Sequence, residues 1–172
     1  MFEQVWAIYT DAFAAVERRS RREQTRVMQH PGYRFSAVMS EGLVVGVMAW
    51  WNLPGFCFVE HFAISSAHRS GGLGRRVIEL LQAHVARPIV LDVAPFGADH
   101  QAARRVAFYQ RLGFSYCGQS DLLPAYEGRK AAPSNLMAWG ITLDRAGRER
   151  VLEIIGSEIY GLRSEVPYPS AV

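Results

Sequence analysis

Apolar residues recur at helical spacing from the start of the chain. They stand at Phe2, Val5, Trp6, Tyr9, Phe13 and Val16, which places them on one face of a first helix. A second short helix is predicted to run to Met28, because His30-Pro31-Gly32 would end it. The charged run ERRSRREQTR, residues 17–26, is predicted to form a solvated helix face.

The chain then changes to the pattern of β-strands. Two β-rich runs, YRFSAVMS and LVVGVMAWW, flank the turn dipeptide Glu41-Gly42 and predict a hairpin. A third strand, FCFVEHFAIS, follows a turn at Asn52 to Gly55. The three strands are therefore expected to be neighbours along the sequence and in the sheet.

A strand–helix–strand unit comes next. The helix after residue 72 has an expected buried side of Leu73, Val77, Leu80, Leu81, His84 and Val85. Pro88 ends this helix, and PIVLDVA is apolar nearly throughout, which is typical of a strand covered on both faces. The two strands joined through the helix are predicted to be parallel, with a right-handed connection.

The remaining pattern completes one mixed domain. It predicts a helix over QAARRVAFYQRLG, a strand at FSYCG, a polar loop over 119–134, a strand at NLMAWGITL and a last helix from Asp144 to Tyr160, with Gly161 as its C-cap. The predicted class is α/β (α+β), with a mixed, mostly antiparallel sheet, a parallel central strand pair and helices on both faces. We expect a single domain over residues 1–163 and a short, loosely ordered tail at 164–172.

Composition narrows the class of protein. The chain has 172 residues, 49% of them hydrophobic, which suffices for one core and is too short for two ordinary domains. No run of about 18 apolar residues occurs, and the N-terminus lacks an export-signal pattern, so we expect a cytoplasmic protein without membrane partners. The net charge of +3 is spread along the chain, which argues against a nucleic-acid partner. The histidines lack metal-ligand spacing, so no metal is expected.

A glycine-rich stretch opens the helix after the third strand. It reads HRSGGLGRR, residues 68–76, and glycines at a helix N-terminus let a phosphate approach the backbone amides. The dinucleotide pattern fails because Val77 stands at the third glycine position, and a P-loop fails because no lysine is near. A surface turn that arginines merely decorate is the alternative.

Two motifs make the chain resemble the GNAT superfamily of acyl-CoA-dependent N-acyltransferases. They are Arg69-x-x-Gly72-x-Gly74, within FAISSAHRSGGLGRRVIELL, and FYQRLGF at residues 108–114. The resemblance implies a GNAT-like fold, acetyl-CoA as co-substrate, and an amide-lined site for the CoA pyrophosphate beside a strand that pairs with the pantetheine arm. The cofactor-binding residues it implies are Phe62, Ala63, Ile64, Arg69, Ser70, Gly71, Gly72, Leu73, Gly74, Arg75, Arg104 and Phe108. Ala102 stands where the family often has asparagine, so one cofactor hydrogen bond is either lost or made by Arg104 or Arg105.

Glu60 is the candidate general base for deprotonating an amine. It shares a strand face with Phe58, Phe62 and Ile64 and lies about 20 Å before Ser66, a span commensurate with an extended pantetheine arm. Its apolar neighbours are expected to raise its pKa, which would make it a better proton acceptor, directly or through a water. The alternative is a carboxylate in a structural salt bridge. His61 is expected on the other face, as a packed histidine.

Tyr109 is the candidate acid. It stands four residues before Gly113, where the resemblance implies a tyrosine whose hydroxyl protonates the CoA thiolate. A phenol suits this work because it stays protonated at neutral pH. The alternative is an aromatic anchor that packs beside Val106.

The leading interpretation is an acetyl-CoA-dependent N-acetyltransferase in which a primary amine attacks the thioester directly. A non-catalytic or regulatory acyl-CoA-binding module of the same fold is the second interpretation. The acceptor is expected to be a small-molecule or peptide amine, with the loop at 119–134, including Asp121, Tyr126 and Glu127, as one place to meet it. Many members of the family pair, so a homodimer is also an expectation.

Overall fold

A computed structural model of the protein describes residues 1–95, 101–118, 121–123, 126 and 132–161. The chain divides into two compact units, of which the first comprises Met1–Asn52 and Cys57–Ala86. The second comprises Leu53–Phe56 and the chain from Arg87 onward. The predicted tail at 164–172 and much of the predicted loop at 119–134, including Glu127, lie outside the described residues.

The elements follow the predicted order. The first part of the chain contains α1 Phe2–Ala12, α2 Arg21–Val27, β1 Tyr33–Ser40, β2 Leu43–Leu53, β3 Phe56–Ile64, a 3₁₀ turn at Ser66–His68 and α3 Leu73–Val85. The rest contains β4 Ile89–Val93, α4 Ala102–Gln110, β5 Ser115–Tyr116, β6 Asp121–Leu123, β7 Ala132–Trp139 and α5 Arg145–Tyr160. Among the described residues, no helix has both the length and the apolar character that a membrane crossing requires.

The predicted hairpin of β1 and β2 is confirmed. The strands pair antiparallel from Tyr33 opposite Trp51 to Ser40 opposite Leu43. Glu41 and Gly42 both have positive φ, 49° and 78°, as a two-residue hairpin turn that follows strand twist requires. β3 lies on the other side of β2 in the sheet.

A bulge in β2 changes which face of the sheet the side chains near Val45 point to. Val38 pairs with Gly46 but Met39 pairs with Val44, so Val45 is the extra residue. Residues two apart normally share a face, yet Val45 packs with Val38, whereas Val47 packs in another cluster with residues of α1. The bulge therefore provides apolar contacts for α1 on one face and for α3 on the other.

The first helix is shorter than the apolar spacing predicts. α1 ends at Ala12, and the segment 13–19, here the α1–α2 loop, leaves Val16 73% exposed, so its predicted place on the helix face is wrong. The loop is closed by its own bonds, from Arg18 Nε to the Phe13 carbonyl at 3.0 Å and from the Ala14 N–H to the Glu17 carboxylate at 3.1 Å. These local bonds compete with continued helix.

A capping box then fixes where α2 begins. The Ser20 hydroxyl accepts from the Glu23 N–H at 3.3 Å, and the Glu23 carboxylate accepts from the Ser20 N–H at 2.6 Å. Two otherwise unpaired donors are satisfied in this way. The charged run at 17–26 is consequently split between loop and helix, and is not one solvated helix face.

α3 packs on the sheet along a narrower stripe than predicted. Leu73 and Val77 contact the cluster that contains Val45, while Ile78 and Leu81 are buried. Leu80 is 69% exposed and His84 is also exposed, so their predicted burial is wrong. Leu80 is two residues after the buried Ile78. Two residues turn a helix by about 200°, so the Leu80 side chain points away from the buried side.

In the second unit β7 is the central strand. It pairs antiparallel with β4, β5 and β6, with Leu91 opposite Met137, Ser115 opposite Ala138 and Leu122 opposite Pro133. β6 and the early start of β7 fall in the stretch predicted as loop, because both are formed by backbone pairing with little apolar pattern. β7 ends before Gly140, whose φ of 76° breaks the strand.

The predicted last helix, α5, is confirmed together with its caps. The Asp144 carboxylate accepts from the Gly147 N–H at 2.8 Å, which satisfies one of the unpaired donors at the helix start. Gly161 ends the helix in the left-handed region, with φ 66°. Val151, Leu152 and Ile155 are the buried side of α5.

Gly46 permits the close approach of β2 and β3, so Gly46→Ala should destabilise the protein. A Cβ at this position would lie 2.6 Å from the carbonyl oxygen of Ala63, a backbone atom that cannot turn aside. We expect a loss of about 1–3 kcal/mol in the free energy of unfolding, measured by urea denaturation. Gly71→Ala is the matched control, because its Cβ would meet nothing within 4 Å. Equal stability of the two variants would contradict this account.

Candidate functional site

The glycine stretch forms an open helix N-terminus. Ser70 and Gly72 both have φ of 73°, and α3 begins directly afterwards at Leu73. No side chain among the described residues caps this end, so the first N–H groups of α3 are left for solvent or a ligand. A Cβ at Gly71 or Gly72 would meet nothing within 4 Å, so space is open over the turn.

Two of the arginines expected to bind the cofactor have protein partners. Arg69 Nε donates to the Ile64 carbonyl at 2.9 Å, which braces the turn against the end of β3. Arg75 Nε donates to Glu79 at 2.7 Å along the exposed side of α3. Both guanidinium groups remain at the surface near the turn, so their positive charge would favour an anion there.

The end of β3 is held in the sheet by backbone and side-chain contacts. The Ser65 N–H donates to the Val45 carbonyl at 2.9 Å. Phe62 packs on the Val45 cluster and Ala63 on the opposite one, and both are half-buried. That their backbone pairs with a pantetheine arm stays a prediction.

Glu60, in the middle of β3, forms a buried ion pair. Its Oε2 accepts from Arg19 Nη1 at 2.6 Å and from Trp51 Nε1 at 3.2 Å. The two side chains of the ion pair are 5% and 3% exposed, for Arg19 and Glu60 respectively. The structural salt bridge that the sequence left as an alternative for Glu60 is therefore present.

Aromatic side chains hold the guanidinium of Arg19. Its Cζ lies 5.5 Å from the ring centre of Tyr33 and 5.8 Å from that of Trp51. The Arg19 backbone N–H donates to the Tyr9 hydroxyl at 3.4 Å. Gln24 Nε2 donates to the Tyr33 hydroxyl at 2.9 Å, which fixes the second ring. Because these contacts come from α1, α2, β1 and β2, the cation is positioned by most of the first unit.

The expected rise in the pKa of Glu60 is wrong. Burial by itself raises the pKa, but the charge of Arg19, that of the His61 ring when it is protonated, and the hydrogen bonds from Arg19 and Trp51 bring it below the ordinary value of 4.5. The carboxylate is therefore ionised at neutral pH. Glu60 is therefore a weaker base than we expected from its apolar neighbours in the sequence.

His61 is a packed histidine, as the sequence suggests. Its Nε2–H donates to the Glu17 carbonyl at 2.8 Å, and its ring makes edge contacts with Tyr9 and Phe13. Burial lowers its pKa, which favours the neutral ring. Its Nδ1 lies 3.9 Å from Glu60 Oε2. Glu60 and His61 both contact the α1–α2 loop, through Arg19 and the Glu17 carbonyl respectively.

Arg19 is the site residue that the sequence does not reveal. It is one of five arginines in the run at 17–26, and the pattern expects all of them at the surface. Only the tertiary structure distinguishes it, because its partner Glu60 is 41 residues away.

In the second unit, Tyr109 of α4 is packed among aromatic rings. Phe108 and Phe114 lie 5.0 and 5.5 Å from it, centre to centre, both edge-on. Burial raises the pKa of Tyr109 and the nearby Asp92 carboxylate raises it further, so the phenol is protonated at neutral pH. Asp92 is itself held by the Ser134 hydroxyl at 2.8 Å. The ring contacts are those of an aromatic anchor, and the role of Tyr109 as an acid stays a prediction.

The other expected cofactor residues on α4 are near Tyr109 in sequence. Arg104 is exposed and Phe108 is half-buried, and their roles stay predictions. Ala102 is fully buried, so its position faces the core of the second unit. Within the ranges that the structure describes, no group of three or more His, Cys, Asp or Glu side chains could hold a metal ion.

Comparison with known proteins identifies the family. Residues 2–114 match the Acetyltransferase (GNAT) family. The chain belongs to this family, which confirms the resemblance drawn from the two motifs and the predicted α/β fold class. No curated protein matches the chain as a relative.

Solved structures agree with this assignment. A protein from Bacteroides thetaiotaomicron assigned to the GNAT acetyltransferases is 28% identical, has a TM-score of 0.86 and covers 94% of this chain and 93% of its own. Naa50 of Arabidopsis thaliana, solved with a CoA-containing bisubstrate analogue, is 14% identical with a TM-score of 0.59, covering 81% and 92%. An aminoglycoside 6'-N-acetyltransferase complexed with coenzyme A is 20% identical with a TM-score of 0.58, covering 79% and 88%. The last two show the fold alone.

Acid should destabilise the protein through Glu60 and His61. The lowered pKa of His61 means that the unfolded chain takes up its proton first, so stability falls as the pH drops below 6.5. Glu60 stabilises the fold above its unfolded value of 4.5, and this contribution is lost as the pH falls through its lower folded pKa. Urea midpoints measured from pH 8 to 3 should decline in this order.

His61→Gln is the control for the first part of this decline. Glutamine keeps an N–H donor for the Glu17 carbonyl but does not titrate. Its midpoints should change less than those of the native chain between pH 7 and 5. Parallel curves for the two proteins in that range would contradict the assignment to His61.

Proposed function

We propose that the protein is an acetyl-CoA-dependent N-acetyltransferase that transfers the acetyl group directly to a primary amine. The observation that carries the proposal is the open N-terminus of α3, directly after β3, in a chain of the GNAT family. Unpaired amides and the positive end of a helix dipole favour a phosphate. We assign the activity to a single domain over 1–163 and expect it to operate in the cytoplasm.

The co-substrate site is proposed from residues at the turn and β3. Amides from Ser70 to Arg75 would receive the pyrophosphate, with Arg69 supplying charge. The backbone of β3 from Phe62 to Ile64 would pair with the pantetheine arm, as antiparallel or parallel strands pair with an added segment. Arg104 and Phe108 are proposed as further contacts to the cofactor. The thioester itself supplies the activated acetyl group.

Glu60 is proposed to receive the proton from the amine through a water. The reaction forms a C–N bond and breaks the C–S bond, and one proton must leave the nitrogen. The Glu60 side chain is only 3% exposed, which favours a relay over direct contact. Its lowered pKa means that it is ready to accept at neutral pH and returns the proton readily to solvent.

Tyr109 is proposed to donate the proton that the leaving thiolate needs. The raised pKa of its hydroxyl keeps Tyr109 protonated at neutral pH but makes it a weaker acid than a thiol, so the role requires its hydroxyl to lie within hydrogen-bond distance of the sulfur as the C–S bond breaks. The acceptor is proposed to be a small-molecule or peptide amine, since structural neighbours include an aminoglycoside acetyltransferase and an enzyme solved with a peptide-bearing analogue.

The function is tested by CoA release from acetyl-CoA with a panel of amines, including polyamines, amino acids, aminoglycosides and peptide N-termini. We expect at least one amine to give turnover. Calorimetric binding of CoA without turnover on any amine would favour the second candidate, an acyl-CoA-binding module. In such a module the buried ion pair of Glu60 would have a structural role only.

Removal of both members of the Arg19–Glu60 pair should separate structure from catalysis. Glu60→Gln alone leaves a buried guanidinium unpaired, and we expect a loss of about 3–5 kcal/mol in unfolding free energy. The double variant Arg19→Met, Glu60→Gln should recover most of that stability, because neither charge remains. Its kcat should still be lower than that of the native enzyme by about 10²-fold or more, because the proton acceptor is gone. Recovery of both stability and kcat would assign Glu60 to structure alone.

Tyr109→Phe should lower kcat by about 10²-fold while KM for acetyl-CoA and the thermal midpoint stay near those of the native enzyme. The phenyl ring keeps the contacts with Phe108 and Phe114, so packing is preserved. Tyr116→Phe, on β5, is the matched control and should keep its rate. An unchanged rate in Tyr109→Phe would leave Tyr109 as an aromatic anchor.

A further inference from the structure

Arg19 reaches from the α1–α2 loop to a carboxylate that water hardly touches. The pair is joined at 2.6 Å, and the side chains of Arg19 and Glu60 are 5% and 3% exposed. A carboxylate removed from water gains a proton unless a positive charge or hydrogen bonds stabilise its ionised form. Whether Glu60 is ionised therefore depends on what the loop brings to it.

The guanidinium is held in place independently of the carboxylate. Its Cζ lies 5.5 Å from the ring centre of Tyr33 and 5.8 Å from that of Trp51, and the Arg19 backbone N–H donates to the Tyr9 hydroxyl. Trp51 also donates its indole N–H to the same Glu60 oxygen, at 3.2 Å. A surface ion pair loses most of its strength to solvent and side-chain freedom, and neither loss applies here.

We infer that Arg19 is a positioning residue that holds Glu60 in its ionised form and so sets the acid limit of acetyl transfer. The inference rests on the proposed function, in which Glu60 is the proton acceptor. Arg19 touches neither the thioester nor the amine in this role. It acts only through the carboxylate.

The other charged and titratable groups around Glu60 do not replace Arg19. They come from α1, from the α1–α2 loop and from β1 and β3, and are Tyr9, Glu17, Arg18, Tyr33 and His61. The tyrosines are neutral at any pH of interest because burial raises the pKa of both. Burial lowers the pKa of His61, which favours the neutral ring over a second positive charge beside Glu60. Arg18 directs its Nε to the Phe13 carbonyl.

The direct test is the ionisation of Glu60 in the full chain. The protein is labelled with ¹³C at glutamate carboxyl carbons, and the Glu60 signal is assigned as the one missing in Glu60→Gln. In the native protein its midpoint should lie below 4.5. In Arg19→Met it should lie above that value, and in Arg19→Lys it should return toward the native midpoint, because the charge is restored.

The kinetic test compares variants at matched pH. The ratio of kcat/KM for Arg19→Met to that of the native enzyme cancels the ionisation of the amine, which is the same for both. The ratio should be flat at pH 8 and fall about tenfold per pH unit below the new Glu60 midpoint. Arg19→Lys should keep the ratio flat to lower pH. A residue that only supports the fold would lower the ratio equally at every pH.

Each outcome decides a different statement. A native Glu60 midpoint above 4.5, or one that does not move in Arg19→Met, overturns the inference without the need for an active variant. A midpoint that moves while the rate ratio stays flat overturns the acid-limit part, because Glu60 then is not the proton acceptor. A failure of the proposed function itself appears elsewhere, as absence of turnover in the native protein.

Discussion

The burial of one carboxylate governs the arrangement of the first unit. Glu60 lies in the middle of β3 with almost no exposed surface, and an ionised group there must be matched by charge and hydrogen bonds. The match comes from Arg19, which α1 and the aromatic residues of β1 and β2 hold in position. The α1–α2 loop is thus tied to β3 by this ion pair and by the hydrogen bond from His61 to the Glu17 carbonyl.

Local features of the backbone make this arrangement possible. The capping box at Ser20 ends the loop at a fixed residue, so Arg19 directly precedes the N-cap of α2. The bulge at Val45 turns the sides of β2 so that α1 and α3 each find an apolar face. At the end of β3, the left-handed residues Ser70 and Gly72 turn the chain into the open start of α3. β3 therefore carries the buried acid and leads, through this turn, into a helix N-terminus that favours an anion.

Much of the fold can be predicted from the sequence because its signals are local. Glu41-Gly42 between alternating strands predicts the hairpin, and Asp144 with Gly161 bounds the last helix. The glycine turn can be predicted for the same reason. The direction of the Glu60 pKa shift cannot be predicted from the sequence, because its neighbours in sequence are apolar and its counter-ion is distant in the chain. Val16 and β6 also escaped prediction, because loop closure and backbone pairing leave little trace in apolar spacing.

The Arg19–Glu60 pair also restricts how this chain can diverge. Loss of either residue alone leaves a charge in a place without solvent, so an intermediate sequence carrying a single change would fold poorly. Relatives that lack the acid on this strand should lack the basic partner as well, and the two positions should be inherited as a unit. Variation in acceptor among such proteins would then accumulate around the pair and not within it.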